Sequence, residues 1–269
     1  MASNNTVNLI AAHKIAIEAA RAAGRLMYAN WNRPKRVKLT EAHDIKLELD
    51  VRCQRLIQKT LRAAFPKIPL LGEEGNSGDV SAEFRWVVDP IDGTVNYFSG
   101  LPHAAVSIAL QVRDPKSKAR GYQTVLGVIY DPFTDELWTA TRGGQTRLNG
   151  KIVRVSNRSK LEDAVIAMGF SKSKENLEKS LPHLIRLARR ARKIRIMGSA
   201  ALELAYVACG RLDAYIERTI NLWDIAAGAL MVECSGGEFH TRPAPGGKFR
   251  MCADNGRLRK RLQLGSLLK

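Results

Sequence analysis

The feature of this sequence that most constrains its fold is the alternation of strand-like and helix-like segments in its second half. Short apolar runs typical of strands are followed by longer segments with apolar residues at helical spacing. The predicted elements are, in order, a strand at 164–170, a helix at 173–191, a strand at 193–197, a helix at 199–209, a strand at 212–217 and a helix at 223–237. Alternation of this kind favours helices layered against sheets.

The first half of the sequence is richer in predicted strands. Apolar residues at helical spacing predict one helix over 7–30 and a second over 44–65, which Pro66 ends. After these helices, alternating apolar residues and turn signals predict strands at 84–89, 103–112, 124–132, 135–142 and 151–156, with a turn at Asn149-Gly150. We therefore expect two halves of one globular unit, an α+β half at 1–157 and an α/β half at 158–269.

The chain is strongly basic. Its 269 residues include 43 Lys and Arg against 26 Asp and Glu, a formal net charge of +17, which indicates an anionic partner such as nucleic acid, a membrane surface or a phosphorylated substrate. The densest basic segments, at 184–196 and 256–263, are not interleaved with aromatic residues as a single-strand-binding surface would be. We therefore favour solvated helix faces that attract anions in general, and specific binding of RNA or DNA stays the alternative.

Neither a membrane anchor nor a disulfide framework is expected. No segment approaches the ~18–20 uninterrupted apolar residues of a membrane span, and the N-terminal segment has the pattern of an amphipathic helix and not of a secretory signal. Cys53, Cys209, Cys234 and Cys252 are isolated, without a C-x-x-C pair or a His at ligand spacing. The sequence therefore predicts a cytoplasmic protein without membrane contact, whose cysteines are buried free thiols and not disulfides or a zinc site.

A pair of aspartates ends an apolar run in the first half. In the segment WVVDPIDGTVNYFSG (86–100), Asp89 and Asp92 flank Pro90, whose fixed φ forces a rigid turn that can aim both carboxylates at one point. Two converging carboxylates repel each other unless a cation lies between them. Oxygen ligands without His or Cys favour Mg²⁺ over Zn²⁺, and the carbonyl of Ile91 could add a third oxygen.

Gly93 and Thr94 follow directly, at a position where a helix can begin. Free N–H groups at such a helix start bind phosphate oxygens, and a metal beside an anion site is the equipment of phosphoryl transfer. The alternative is an ordinary acidic turn, in which Asp and Gly serve turn geometry alone. Further acidic residues at predicted strand ends and helix starts favour a site: Glu73, Glu74, Asp44, Asp50 and Asp224. For Asp224, capping of the helix start is the alternative role.

Three segments resemble the signatures of the inositol monophosphatase family, whose members are Mg²⁺-dependent, lithium-sensitive phosphomonoesterases. They are GEE (72–74), DPIDGTVNY (89–97) and WDIAAGALMVECSGG (223–237), and the likeness is to the bacterial branch of that family. The resemblance implies an α+β fold, a layered α-β-α-β-α sandwich of the sugar-phosphatase type, and a homodimer. One departure is DIKLELD (44–50), where the family usually has D-x-V-T-x-x-D, because both aspartates match but the threonines are missing.

The resemblance also implies which residues hold metal. Glu73, Asp89 and the Ile91 carbonyl would hold a first Mg²⁺. Asp89, Asp92 and Asp224 would hold a second, and Glu73 would help to bind a weaker third.

The same resemblance implies the catalytic and substrate-binding residues. Gly93 and Thr94 would donate N–H groups to the phosphate. Thr94, hydrogen-bonded to Asp50, would with Glu73 orient and deprotonate the attacking water. The residues implied to contact the phosphate or the polyol are Ile91, Asp92, Gly93, Thr94, Gly198, Ser199, Ala200, Glu217 and Asp224.

The expected substrate is myo-inositol 1-phosphate or a related small polyol phosphate. Phosphatases for histidinol phosphate, fructose 1,6-bisphosphate and 3′,5′-bisphosphonucleotides share the metal motifs, so these three substrates stay open. An RNA-associated regulatory protein on the same fold is the alternative from another functional class, and the net charge of +17 is the feature that suggests it.

Overall fold

The computed structural model describes residues 7–41, 44–115, 121–170 and 174–263. The helices, numbered in chain order, are α1 (Leu9–Ala29), α2 (Glu48–Ala64), α3 (Thr94–Phe98), α4 (Lys174–Ala188), α5 (Ala200–Ala208), α6 (Leu222–Cys234) and α7 (Arg259–Leu262). The strands are β1 (Val37–Glu41), β2 (Asp44–Leu47), β3 (Leu70–Gly72), β4 (Phe84–Asp92), β5 (Ala105–Arg113), β6 (Tyr122–Asp131), β7 (Glu136–Thr141), β8 (Arg147–Leu148), β9 (Lys151–Ile152), β10 (Val165–Met168), β11 (Lys193–Arg195), β12 (Ala214–Ile220), β13 (Glu238–Pro243) and β14 (Phe249–Asp254).

These strands form two main sheets and a separate β1–β2 hairpin. The larger sheet has the order β3-β4-β5-β6-β7-β8-β9, and the smaller one has the order β11-β10-β12-β14-β13. The predicted boundary near residue 157 therefore falls where the chain passes from the larger sheet to the smaller one. In the described part of the chain, no helix is long and apolar enough to span a membrane.

Three apolar clusters show how the layers stack. The first packs α1 and α2 on one face of the larger sheet. The second fills the space between the two sheets with α5 and α6. The third lies on the outer face of the smaller sheet, where Leu187 of α4, Leu262 of α7 and Leu258, the N-cap residue of α7, cover it. The predicted α-β-α-β-α sandwich is confirmed.

Several element bounds differ from those predicted. The second helix begins at Glu48 and not at 44, because residues 44–47 pair with β1 as a strand. The strand predicted over 151–156 is only two residues long. Strands β13 and β14 were not predicted, since β13 is mostly polar and the Pro- and Gly-rich connection at 243–247 hides the hairpin. All four cysteines are free as predicted, although Cys209 and Cys234 are only half-buried.

A row of small side chains lets α6 lie directly on the larger sheet. Ala109 on β5, Gly127 on β6 and Ala140 on β7 are neighbours across the three strands. A Cβ atom on Gly127 would come within 2.9 Å of the carbonyl oxygen of Ala227 in α6, so the helix backbone touches the strand backbone. This close approach fixes the position of α6 on the sheet. The first turn of α6 carries Asp224.

We predict that Gly127→Ala pushes α6 away from β6 and lowers the free energy of unfolding by about 1–3 kcal/mol, since overpacking a close backbone contact forces the helix to shift. Urea denaturation followed by circular dichroism measures this change. Gln123→Ala, at a half-buried position of the same strand, is the control and should change stability by less than about 0.5 kcal/mol. A Gly127→Ala protein as stable as the wild type would contradict this role for the small-residue row.

Candidate metal centre

Three of the predicted acidic residues meet at one point of the fold. Asp89 and Asp92 lie at the end of β4, Asp224 lies in the first turn of α6, and each offers an oxygen atom within 4.8 Å of the others. The pairing of β4 with β5 is irregular between Asp89 and Asp92, which allows two carboxylates of one strand to approach the same place. Asp224 also accepts a hydrogen bond from the Asn221 N–H at 2.9 Å, so it caps its helix and belongs to the cluster.

Burial and mutual repulsion dominate the electrostatics of this cluster. Burial, followed by repulsion from Glu73, Asp92 and Asp224, raises the pKa of Asp89 well above its usual range. Burial raises the pKa of Asp92 to about 6, although hydrogen bonds from α5 oppose the shift. Burial and then repulsion from Asp92 raise the pKa of Asp224 to about 8. A bound cation would relieve this repulsion, and a set of carboxylate oxygens suits a hard ion such as Mg²⁺.

Glu73 belongs to the same edge of the sheet. It follows β3, which pairs in parallel with β4, and its N–H donates to the carbonyl of Val88 at 3.2 Å. Its carboxyl group interacts directly with that of Asp89 and raises the pKa of Asp89. The loop after β3 is held by Gln54 of α2, whose side-chain oxygen accepts the Glu74 N–H at 3.0 Å. Gln54 is a supporting residue that the sequence analysis missed.

Thr94 links the end of β4 to α2. Its hydroxyl oxygen lies 2.8 Å from the carbonyl oxygen of Ile91 and 3.3 Å from Oδ1 of Asp50. The hydroxyl has one proton, which it donates to one of these two oxygens at a time, and the Ile91 oxygen keeps a second lone pair for another partner. Burial raises the pKa of Asp50 to about 7, against the opposing effect of the hydrogen bond that its Oδ2 accepts from the Leu47 N–H at 2.6 Å.

Gly93, between Asp92 and Thr94, is the N-cap of α3 and adopts a φ of 92°. This left-handed conformation favours glycine, and a Cβ atom there would lie 2.8 Å from the carbonyl oxygen of His103. The absence of a side chain at Gly93 therefore lets the segment 103–104 and Gly198 approach Gly93 closely. For Asp44, the backbone belongs to β2, but its side chain lies outside the described part of the structure.

Comparison with known proteins agrees with this geometry. A model of the inositol monophosphatase family matches residues 11–258. The chain belongs to that family. Among curated relatives, the protein named Nus factor SuhB of Pseudomonas aeruginosa is 40% identical over 232 residues, covering 83% of this chain and 82% of the relative. Inositol monophosphatase 2 of Solanum lycopersicum is 37% identical, covering 83% of this chain and 84% of the relative.

Solved structures of the family share the fold. The extragenic suppressor protein suhB of Bartonella henselae is 36% identical with a TM-score of 0.85, covering 96% of this chain and 98% of that chain. The inositol monophosphatase of Anabaena is 32% identical with a TM-score of 0.80, covering 95% of each chain. The resemblance seen in the sequence is thus confirmed at the level of family and fold.

In this family member, the start of α5 binds Asp92. Oδ2 of Asp92 accepts hydrogen bonds from the hydroxyl of Ser199 and from the N–H of Ala201, the latter at 2.7 Å. The Ala200 N–H also stabilises the ionised form of Asp92 and so opposes the rise in its pKa that burial causes. Ser199 and Ala200, predicted as substrate contacts, therefore lie at the carboxylate cluster and hold one of its carboxylates. Their contact with substrate stays a prediction.

Glu217 lies on β12, in the second sheet, but faces the same region. It contributes to the raised pKa of Asp224 by repulsion, and Asp92 contributes in the same way to that of Glu217. Burial is the main cause that raises the pKa of Glu217 to about 8, and the hydroxyl of Tyr215 donates a hydrogen bond to its carboxylate. Gly169 makes room for this carboxyl group, because a Cβ atom there would lie 2.0 Å from it.

A clamp that the sequence analysis missed joins the α3 segment to α5. Asn96 of α3 donates from Nδ2 to the carbonyl oxygens of Met197, at 2.7 Å, and His103, at 2.9 Å. From the other side, Oε1 of the buried Glu203 accepts the Met197 N–H at 3.0 Å. The two contacts fix the residue just before Gly198, whose φ of 79° starts the turn into α5. The position of Asn96 within the DPIDGTVNY segment was the one sequence signal that could have indicated this clamp.

We predict that Asn96→Ala lowers the free energy of unfolding by about 1–3 kcal/mol, because two partly buried carbonyl groups lose their hydrogen-bond donor. Urea denaturation measures the change. Asn32→Ala, at an exposed position in the loop after α1, is the matched control and should stay within about 0.5 kcal/mol of the wild type. Equal stability of the Asn96→Ala and Asn32→Ala proteins would show that the clamp contributes nothing.

Proposed function

We propose that this chain is a Mg²⁺-dependent phosphomonoesterase that hydrolyses myo-inositol 1-phosphate or a related small polyol phosphate. The observation that carries the proposal is the convergence of the buried carboxylates of Asp89 and Asp92 with the half-buried carboxylate of Asp224, directly beside Gly93 and Thr94 at the start of α3. Membership of the inositol monophosphatase family supports the same reaction class.

The residues at the site fit Mg²⁺. Glu73, Asp89, Asp92 and Asp224 would hold it with carboxylate oxygens, and Ile91 would add its carbonyl oxygen. All of these are hard oxygen donors, which Mg²⁺ prefers over the nitrogen and sulfur ligands that suit Zn²⁺. When bound, Mg²⁺ supplies Lewis acidity that lowers the pKa of water and offsets the negative charge that develops during phosphoryl transfer.

The chain's own residues would move the proton. Thr94 would take a proton from the attacking water at Oγ1 and pass its own proton to Oδ1 of Asp50, 3.3 Å away. A pKa of about 7 for Asp50 suits this exchange near neutral pH, since a base works best when its pKa lies near the working pH. Glu73 would orient the water, while the N–H groups of Gly93 and Thr94 would bind a phosphate oxygen.

Residues from α5 and β12 would face the rest of the substrate. Gly198, Ser199 and Ala200 lead into α5, and Glu217 offers a carboxyl group that can exchange hydrogen bonds with polyol hydroxyl groups. This arrangement favours a hydroxyl-rich leaving group. Histidinol phosphate, fructose 1,6-bisphosphate and 3′,5′-bisphosphonucleotides are the competing substrates, and a panel of these compounds with detection of free phosphate separates them.

We predict that Asp89→Asn and Asp224→Asn each lower Mg²⁺-dependent phosphate release from myo-inositol 1-phosphate by at least about 100-fold, the usual effect of losing a group that stabilises transition-state charge. Steady-state kinetics with and without EDTA and Li⁺ measure this. Asp163→Asn is the matched control, because Asp163 is an exposed aspartate paired with Arg192, and it should keep full activity. Wild-type activity in both cluster variants would refute the phosphatase proposal, and far faster turnover of histidinol phosphate would refute the choice of substrate.

A role with RNA is the second candidate function. Relatives named Nus factor SuhB and the net charge of +17 favour it. Binding to RNA would weaken steeply with salt, since neutralised phosphates release counterions. For this role we predict that salt-dependent RNA binding, measured by fluorescence anisotropy, survives Asp92→Asn. Binding that disappears with Asp92→Asn would assign the RNA contact to the carboxylate cluster instead.

We further propose that the protein acts as a homodimer in the cytoplasm. The face of α4 that carries Leu177, Leu181 and Ile185, spaced four residues apart, is exposed, and such an apolar stripe suits contact with a second copy. Four free cysteines suit a reducing compartment.

A further inference from the structure

A second group of metal-ligating side chains lies on the β13–β14 hairpin. In this antiparallel pair, Glu238 is opposite Asp254 and His240 is opposite Cys252. Because side chains two residues apart on a strand share one face of the sheet, all four project from the same face. The ligand atoms of Glu238, His240 and Asp254 all lie within 4.8 Å of one another, and Sγ of Cys252 lies 3.9 Å from Oδ2 of Asp254.

This group is separate from the carboxylate cluster at the end of β4. Cys252 pairs with Ile216 of β12, and both belong to the apolar cluster on the outer face of the smaller sheet. Glu217, the next residue of β12, faces the candidate metal centre. It pairs with Met251, which belongs to the apolar cluster between the two sheets. The two groups therefore lie on opposite faces of the same sheet.

The hairpin group has a fixed side and an open side. Asp254 and Cys252 are fully buried, so the core holds them in place. Glu238 and His240 lie on the edge strand β13, where their side chains remain 47% and 41% exposed and can admit an ion from solvent. The imidazole Nε2 of His240 lies 3.0 Å from Oε2 of Glu238, so both groups already point toward a common region.

We propose that Glu238, His240, Asp254 and Cys252 form a second metal site, which binds Zn²⁺ or a similar transition-metal ion and not Mg²⁺. Imidazole nitrogen, thiolate sulfur and carboxylate oxygen together are the donors of zinc sites, whereas Mg²⁺ takes oxygen ligands almost alone. A bound ion would join the edge strand β13 to the buried strand β14 and so stabilise the folded protein.

Arg259 of α7 opposes metal binding. Burial raises the pKa of the Asp254 carboxylate and of the Cys252 thiol, and the positive charge of the nearby Arg259 guanidinium partly opposes both shifts. Nη1 of Arg259 is buried and, among the described residues, has no hydrogen-bond partner. A cation in the site would have to move this guanidinium.

Zn²⁺ titration calorimetry on the full chain tests the site, with Asp89→Asn and Asp224→Asn introduced together to remove binding at the carboxylate cluster. We expect one Zn²⁺ per chain in that background. Adding His240→Ala or Glu238→Gln should weaken Zn²⁺ binding at least about tenfold, since even groups that only support a ligand change affinity by that much. Arg259→Met should strengthen binding. His183→Ala, a histidine on α4, is the matched control and should leave Zn²⁺ binding unchanged.

Co²⁺ absorption gives an independent readout. A Co²⁺-loaded protein should show the sulfur-to-metal charge-transfer band of thiolate ligation, and Cys252→Ser should remove it. His240→Ala should leave Mg²⁺-dependent phosphatase activity intact, because His240 lies on the opposite face of the smaller sheet from the side that faces Asp89, Asp92 and Asp224. The proposal is overturned if no Zn²⁺ binds in the Asp89→Asn, Asp224→Asn background, or if His240→Ala and Glu238→Gln bind Zn²⁺ as tightly as that background does.

Discussion

The rest of this structure depends on the forced proximity of three carboxylates at one end of β4, two of them buried and the third half-buried. Asp89, Asp92 and Asp224 lie within reach of a single ion although burial and mutual repulsion both disfavour their charged forms. Carboxylates do not stay in such a place unless the surrounding fold fixes them and their oxygens find partners. In this chain the partners include the N–H of Ala201 in the first turn of α5, which binds Asp92, and the N–H of Asn221, the N-cap residue of α6, which binds Asp224.

The layered architecture explains how those partners arrive. The central helices α5 and α6 lie between the two sheets, and both begin at the carboxylate cluster. Contact of α6 with the larger sheet requires Gly127, and the turn into α5 is fixed by Asn96 and Glu203. A small residue and a set of hydrogen bonds around the carboxylates thus help to determine their separation. The same layers place Glu217 of the second sheet next to the cluster.

The sequence predicted the elements that have strong local signals. The long helix α1, the apolar strands β4 to β7 and the capped start of α6 lie close to their predicted bounds. Asp89, Asp92 and Asp224 could be identified as one group only through the resemblance to a family, since 132 residues separate Asp92 from Asp224 in the chain. Family membership and fold were confirmed, whereas the roles of the individual site residues remain predictions.

The structural features that could not be predicted from the sequence depend on contacts between distant segments of the chain. Residues 44–47 continue a helical pattern, but pairing with β1 makes them a strand. Asn96 and Met197 are 101 residues apart, so no local pattern indicates their contact. Cys252 has no histidine nearby in the sequence, yet strand pairing places His240 opposite it. In each case tertiary packing, and not local propensity, decides the outcome.

The central claim is that the carboxylates around β4 form a metal centre that also seats a phosphate. The most direct measurement is anomalous diffraction from a crystal soaked with Mn²⁺, as a heavier substitute for Mg²⁺, together with inorganic phosphate. The account predicts anomalous density among Glu73, Asp89, Asp92, Asp224 and the Ile91 carbonyl, with phosphate beside it on the N–H groups of Gly93 and Thr94. Well-ordered carboxylates without anomalous density between them at saturating Mn²⁺ would contradict the account.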